Sequence, residues 1–243
     1  MALTDEEFGL VQRYVDAFVE KLAVLNLSFV VERDFGQLIT FLRANGAPLV
    51  NPTFDPAVSD LSRDAFWLRV VDETGATVAS HAQRIFQTDD LCSMMVSGTL
   101  WYNDGFKLKE GQDPLQVRRP AMHIAGTIAH AGALWVHPRF RKQGLSLLLP
   151  FLSRGLALRN YAPDFFTCIV LTSMGKTALP TMAYGYRHSE PCAVGFIPPA
   201  NRNDGIYLCY MTLAETIEQF RRLPLNPEHP MLRIDNFRMA EAV

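Results

Sequence analysis

Val136-His137-Pro138-Arg139-Phe140-Arg141-Lys142-Gln143-Gly144-Leu145-Ser146 is the stretch on which the reading of this chain turns. It follows a strand-like run, Ile124 to Val136, and opens a helix expected over residues 144–160, where Leu147, Leu148, Phe151, Leu152, Leu156 and Leu158 supply apolar surface. Pro150, within the first two turns, bends that helix or leaves one backbone bond unmade. The first turn of a helix has N–H groups without intrahelical partners and carries the positive end of the dipole. Together these cradle phosphate oxygens. Gly144 removes the Cβ that would block close approach, and Arg139, Arg141 and Lys142 add charge. Taken alone, the loop reads equally as a basic turn capping an ordinary helix.

Its surroundings are those of a mixed α/β sheet. After the helix, Phe165 to Thr172 is a near-continuous apolar run suited to a strand buried on both faces. A short helix over about 177–183 leads to Tyr184-Gly185-Tyr186, and two more strands are expected around 193–197 and 205–212. Upstream, residues 66–71 and 77–82 flank a short turn containing Gly75, a hairpin pattern. Leu27 to Val31 reads as a first strand, followed by a helix over 34–44 that stops at Asn45-Gly46. Residues 47–62, with three prolines, read as a surface loop. Residues 86–121 read as an insertion in which Trp101, Tyr102 and Phe106 line a pocket or form the insertion's own core. An amphipathic helix over 5–24 presents Phe8, Val11, Val15, Phe18 and Leu22 on one face, to cover the core or, alternatively, to form a homodimer contact. The tail holds a helix over 213–222 and then a Pro-containing extension.

The loop and its context resemble the coenzyme A signature of the GNAT superfamily of N-acetyltransferases. That signature has a Val, a Pro two residues on, an Arg or Gln three further, a Gly three after that, and a Gly or Ala two beyond. Val136, Pro138, Arg141 and Gly144 match it, while Ser146 stands where the family prefers Gly or Ala. The resemblance takes in the hairpin, the buried strand and the Ala183-Tyr184-Gly185-Tyr186 turn, roughly residues 27–212, with residues 1–26, 86–121 and 213–243 as additions to one domain. It implies a mostly antiparallel sheet with a splayed parallel strand pair and helices on both faces. It implies acetyl-CoA as the donor, with main-chain contacts to the pantetheine arm from Leu134, Trp135 and Val136. The N–H of Val136 would polarise the thioester carbonyl, Arg141, Lys142, Gln143, Gly144, Leu145 and Ser146 would take the pyrophosphate, and Ser173 would contact the cofactor amide.

Acylation of an amine also needs a proton acceptor. Some family members place a glutamate six residues before the Val136 position, where this chain has His130. In a regular strand Gly132, Leu134 and Val136 share its side, and imidazole suits a base near neutrality; a partly buried histidine with a backbone partner is the alternative. His123 and His137 are weaker in position. The family's tyrosine acid corresponds to Thr181, a much poorer acid, which leaves Tyr184 or water to protonate the thiolate. The direct-transfer acetyltransferase therefore stands beside a second expectation, a GNAT-like module that holds acyl-CoA as a sensor without turnover.

The remaining composition constrains partners. A formal net charge of −2 gives no general attraction to nucleic acid or anionic lipid. No apolar run approaches the ~20 residues of a spanning helix. Cys92, Cys168, Cys192 and Cys209 are widely spaced with no paired C-x-x-C, so no metal is expected and a reducing cytoplasm fits. The acceptor amine is not legible.

Overall fold

The computed structural model describes residues 2–47, 50–61 and 64–223. In chain order the elements are α1 (Asp5–Val24), β1 (Ser28–Glu32), α2 (Phe35–Ala44), β2 (Phe66–Val71), β3 (Thr77–Thr88), α3 (Leu91–Ser97), β4 (Gln116–Val117), β5 (Gly126–Val136), α4 (Leu145–Tyr161), β6 (Phe165–Leu171), α5 (Thr172–Gly175), β7 (His188–Ile197), β8 (Arg202–Thr212) and α6 (Leu213–Arg222). The strands form one eight-stranded sheet in the order β1-β2-β3-β5-β6-β8-β7-β4. Every neighbouring pair is antiparallel except β5 with β6, as the fold expectation requires.

Helices cover both faces. On one, α4 lies across the sheet with Leu149, Leu152 and Leu156 buried, and the helix runs through Pro150 without a break. α1 packs on α4 because Gly155 has no side chain: a Cβ there would come within 3.0 Å of Val15 Cγ2. Thr4 and Glu7 form a capping box that starts α1, and Tyr14 meets Phe220 of α6 at 5.2 Å. The apolar stripe Val11, Val15, Phe18 and Leu22 is thus buried within its own chain.

The opposite face carries two clusters. Under α2 lie Phe35, Leu38, Phe54, Trp67 and Trp135. Under the insertion, Leu91, Met95, Leu100 and Trp101 pack on Ile206, Leu208 and Tyr210 of β8. Part of the expected insertion is therefore sheet, since β3 runs to Thr88 and β4 joins the edge beside β7. α3 is fixed by Asp90, whose side chain accepts from Cys92 N, and stops at Gly98 in the left-handed region.

Several boundaries differ from the sequence expectation. Residues 50–61 are not simply a surface loop: a 3-10 turn at Pro52–Phe54 sends Phe54 to full burial against the sheet. β5 starts at Gly126, not at Ile124, and the helix expected over 177–183 is a short α5 at Thr172–Gly175 followed by a π-helical turn at Leu179–Ala183. β7 begins at His188, earlier than its apolar residues suggest. The extension expected after residue 222 lies outside the described residues beyond Leu223.

Candidate active site

The parallel pair β5–β6 is short. It runs from Ile128 opposite Phe165 to Ala131 opposite Cys168 and stops. Beyond it β5 stays with β3 (Trp135 opposite Ser80, Val136 opposite Ala79), while β6 stays with β8 (Ile169 to Leu171 opposite Leu208 to Ile206). The two strands diverge into a wedge.

A bulge in β5 produces the divergence. The register with β3 shifts between Ser80 and Ala82, Ala133 has φ 51°, and Ser80 Oγ donates to the Ala133 carbonyl at 2.9 Å. Gly132 is required there, because a Cβ would lie 2.4 Å from Phe54 Cε2. The bulge also resets side-chain alternation. In a regular strand His130, Gly132, Leu134 and Val136 would share one side. Instead Leu134 and Val136 pack into the α4-side core, whereas Ala133 and Trp135 join the cluster around Phe54 on the other face.

The main chain alternates accordingly. His137 N donates to Val78 O of β3 at 2.8 Å, so the N–H and C=O of Val136 turn toward the wedge. The Val136 carbonyl accepts from Arg141 Nε at 3.2 Å. By the same alternation Leu134 directs its main chain into the wedge and Trp135 directs its own toward β3. The Trp135 side chain is buried, edge-on to Phe41 at 5.0 Å. Trp135 therefore supports the bulge and offers no main-chain contact to the wedge, a correction to its expected role.

The loop leaves β5 through a 3-10 turn at Pro138–Phe140 and enters α4 at Gly144. Gly144 has φ 77° and Lys142 φ 63°, so two left-handed residues turn the chain sharply into the helix. No side chain caps α4; Leu147 N donates back to Gly144 O at 3.0 Å, and the amides of Leu145 and Ser146 at the helix start are left for an outside acceptor. Arg139, Arg141 and Lys142 are exposed around them, Gln143 Nε2 donates to Arg139 O at 3.4 Å, and buried Leu145 roots the loop in the core. Ser146 is half-buried in the first turn. Ser173 is exposed at the start of α5, on the β6 lip of the wedge.

His130 sits at the vertex and not in the cleft. It is fully buried, its Nδ1 bonds Thr167 Oγ1 at 2.9 Å, and its ring stacks near Phe54 at 6.4 Å. Its Nε2 has no hydrogen-bond partner. Burial, with the neighbouring Arg84 guanidinium, pushes its pKa down to about 3. A base near neutrality needs a higher pKa and an open path for the proton, and His130 has neither, which removes the ground on which it was chosen. His137 Nδ1 accepts from Arg139 N within the loop, and His123 lies before β5, at the end away from the wedge.

Tyr184 is half-buried against the α4-side core. Burial, with a smaller effect from Cys168 and Cys209, pushes its phenol up to about 12. Thr181 is exposed and its hydroxyl donates to Ala178 O at 3.2 Å, a purely local bond. The turn after Tyr184 is held by Arg154 of α4, whose Nη2 donates to Tyr184 O at 2.8 Å and Nη1 to Gln219 Oε1 at 2.9 Å. Sequence reasoning missed Phe54, Arg84, Ala133 and Arg154. Of these only Arg154, a charge inside an apolar helix pattern, carried a sequence signal.

On the insertion face, a cavity of about 70 Å³ lies against the part of β6 beyond its last pair with β5. Its lining includes Ile169 and Leu171 of β6, Ile206 of β8, and Trp101, Phe106 and Leu115 of the insertion, with Asn51 as its polar residue. The described residues contain no His/Cys/Asp/Glu group that could hold a metal ion, and no helix long and apolar enough to cross a membrane.

No protein-family model matches this sequence, and no curated protein matches it. Solved structures give a weak likeness. Arabidopsis thaliana NAA60 in complex with acetyl-CoA has a TM-score of 0.49 at 13% identity, covering 76% of this chain and 99% of that one. The same protein with a bisubstrate analogue has a TM-score of 0.45 at 13% identity, covering 76% and 98%. A variant of the spermidine N-acetyltransferase SpeG from Vibrio cholerae has a TM-score of 0.46 at 10% identity, covering 80% and 98%. At such values the chain's own geometry has to carry the functional argument.

Proposed function

We propose that this chain is an acyl-CoA-dependent N-acyltransferase that uses acetyl-CoA and transfers its acyl group directly to an amine. One observation carries the reading: the β5–β6 wedge and the uncapped start of α4 lie at the same end of β5, joined by a single basic turn. A chain of amide groups fits the wedge as an added strand, and a pyrophosphate fits the helix start.

The donor, when bound, supplies a thioester whose carbonyl carbon accepts the amine nitrogen as the C–S bond breaks. The main chains of Leu134 and Val136 would hold the pantetheine arm, and the Val136 N–H would stabilise negative charge on the carbonyl oxygen. The amides of Lys142 to Ser146, with the Arg141 and Lys142 charges, would fix the pyrophosphate, the Arg141 N–H itself being held by Pro138 O, and Ser173 would contact the arm from the opposite lip. Tyr184 would give its proton to the leaving sulfur, and its raised pKa keeps that proton in place at neutral pH. Among the described residues no carboxylate or imidazole lines the cavity, so the amine's proton would pass to water and the phenol would be reprotonated from solvent.

The same lack of a base favours a second reading, an acyl-CoA-binding module without turnover. Calorimetry with coenzyme A and thiol release from acetyl-CoA over a panel of amines separate the two. Turnover supports the transferase, binding without thiol release against any amine supports the module, and failure to bind coenzyme A overturns both.

A further inference from the structure

We infer that the acceptor is a primary amine bearing a short, uncharged apolar substituent, seated in the cavity among Ile169, Leu171, Ile206, Trp101, Phe106 and Leu115. This rests on the transferase reading for the position of the thioester. Ile169 is the first residue of β6 beyond the last parallel pair, Ala131 with Cys168. By strand alternation Ile169 and Leu171 share the face of Thr167, which bonds His130 at the wedge vertex. The cavity therefore opens where the wedge begins, on the face opposite α4 and its pyrophosphate loop. A group held there can present its nitrogen to a carbonyl in the wedge.

Size and lining narrow the chemistry. At about 70 Å³ the cavity is near half of the ~150 Å³ that admits benzene, enough for a branched group of a few carbons. Trp101 and Phe106 stack at 5.2 Å and form a rigid aromatic wall. Among the described residues no charged side chain lines it, and the Asn51 side-chain oxygen already accepts from Thr53 N at 3.0 Å. A second ammonium, as in a polyamine, would enter without a counter-charge. Part of the chain that read as an insertion thus supplies three of the nine residues that line the cavity.

The test measures thiol release from acetyl-CoA with isoamylamine, phenethylamine and spermidine, alongside the change in Tm each amine causes in the coenzyme A-saturated protein. The expected result is a kcat/KM for isoamylamine about tenfold or more above spermidine, and a saturable rise in Tm with isoamylamine alone. Leu115→Ala, which enlarges the cavity, should raise phenethylamine several-fold, and Ile169→Phe, which fills it, should abolish the isoamylamine preference. Both should leave the KM for acetyl-CoA unchanged. Spermidine equal to or better than isoamylamine overturns the inference. So does a Leu115→Ala protein that shifts preference from acetyl to butanoyl donor with the amine ranking unchanged, because the cavity would then hold the acyl chain. Should no amine release thiol, a Tm rise specific to isoamylamine keeps the cavity assignment while the transferase reading fails. The lack of any such rise overturns the assignment as well.

Discussion

His130 Nδ1 and Thr167 Oγ1 meet at 2.9 Å across the parallel strands β5 and β6, one residue before the two part. Both side chains are fully buried, so the bond ties the strands at the vertex of the wedge. Arg84, opposite His130 on β3, spans the same region from the other side. Its Nη1 donates to Leu100 O at 2.9 Å and its Nη2 to Asp60 O at 3.1 Å, which fastens the insertion and the 50–61 segment over the vertex. A buried cation beside a buried imidazole requires that imidazole to stay neutral.

That requirement makes stability depend on pH. His130 and His81 both have folded pKa values pushed down to about 3 by burial, against ordinary values near 6.5. The unfolded chain binds protons at these sites below about pH 6.5 and the folded chain does not, so stability falls as pH drops from there toward 3. Two such groups give a slope of up to about 3 kcal/mol per pH unit. Urea midpoints between pH 4.5 and 6.5 measure it, and His130→Gln should halve the slope whatever it does to the midpoint at pH 7. An unchanged slope would mean that His130 is not buried neutral.

The wedge depends on Gly132. An Ala there sets its Cβ 2.4 Å from Phe54 Cε2 and 3.0 Å from Cζ, and fully buried Phe54 has nowhere to go. Gly132→Ala should destabilise by about 1–3 kcal/mol. The loss should shrink in the Phe54→Leu background, since the two residues share one contact. Equal losses in both backgrounds would show that the contact is not the cause.

Local chemistry made much of this readable. Gly144 and the leucines after it announce an uncapped helix start, and the run 165–171 is apolar enough to be a strand with both faces covered. The bulge was invisible because it is carried by Ala133, a residue with no turn preference, held at φ 51° by contacts from β3 and Phe54. Phe54 itself was hidden among prolines, since a proline-rich segment signals a turn but not where the turn leads. The polar start of β7 was concealed for a related reason: Pro191 interrupts the pattern at a register shift against β8, where a strand tolerates it. His130 was placed on the right strand, but its burial depends on residues from 54 to 167, beyond the reach of any local pattern.

The α4 loop makes its own prediction about donor binding. Gly144→Val would place a β-branched residue at φ 77° in the helix start, and Arg141→Ala would remove the side chain that bridges to Val136 O. Each should weaken coenzyme A binding about tenfold or more by calorimetry. Raising salt should weaken the wild type more than Arg141→Ala, because part of the attraction is exposed charge. Equal salt dependence in the two proteins would argue that Arg141 does not face the ligand.

Tyr184 is the remaining candidate for proton transfer to sulfur. With its pKa pushed up to about 12, the phenol is protonated at every pH at which the protein can be assayed. The descending limb of a pH–rate profile therefore should not come from its loss. The ascending limb should follow the pKa of the acceptor amine itself and move when the amine is changed, because His130, fully buried and held neutral at the vertex, cannot take the proton. Tyr184→Phe should lower kcat by about 10²-fold, within the range of general acid catalysis, and leave the KM for acetyl-CoA within about twofold. The ring stays in place and keeps its packing, so a purely structural role predicts no such split. Unchanged kcat in Tyr184→Phe would assign the proton to water, and an ascending limb near pH 6.5 that ignores the amine would bring a histidine back into the mechanism.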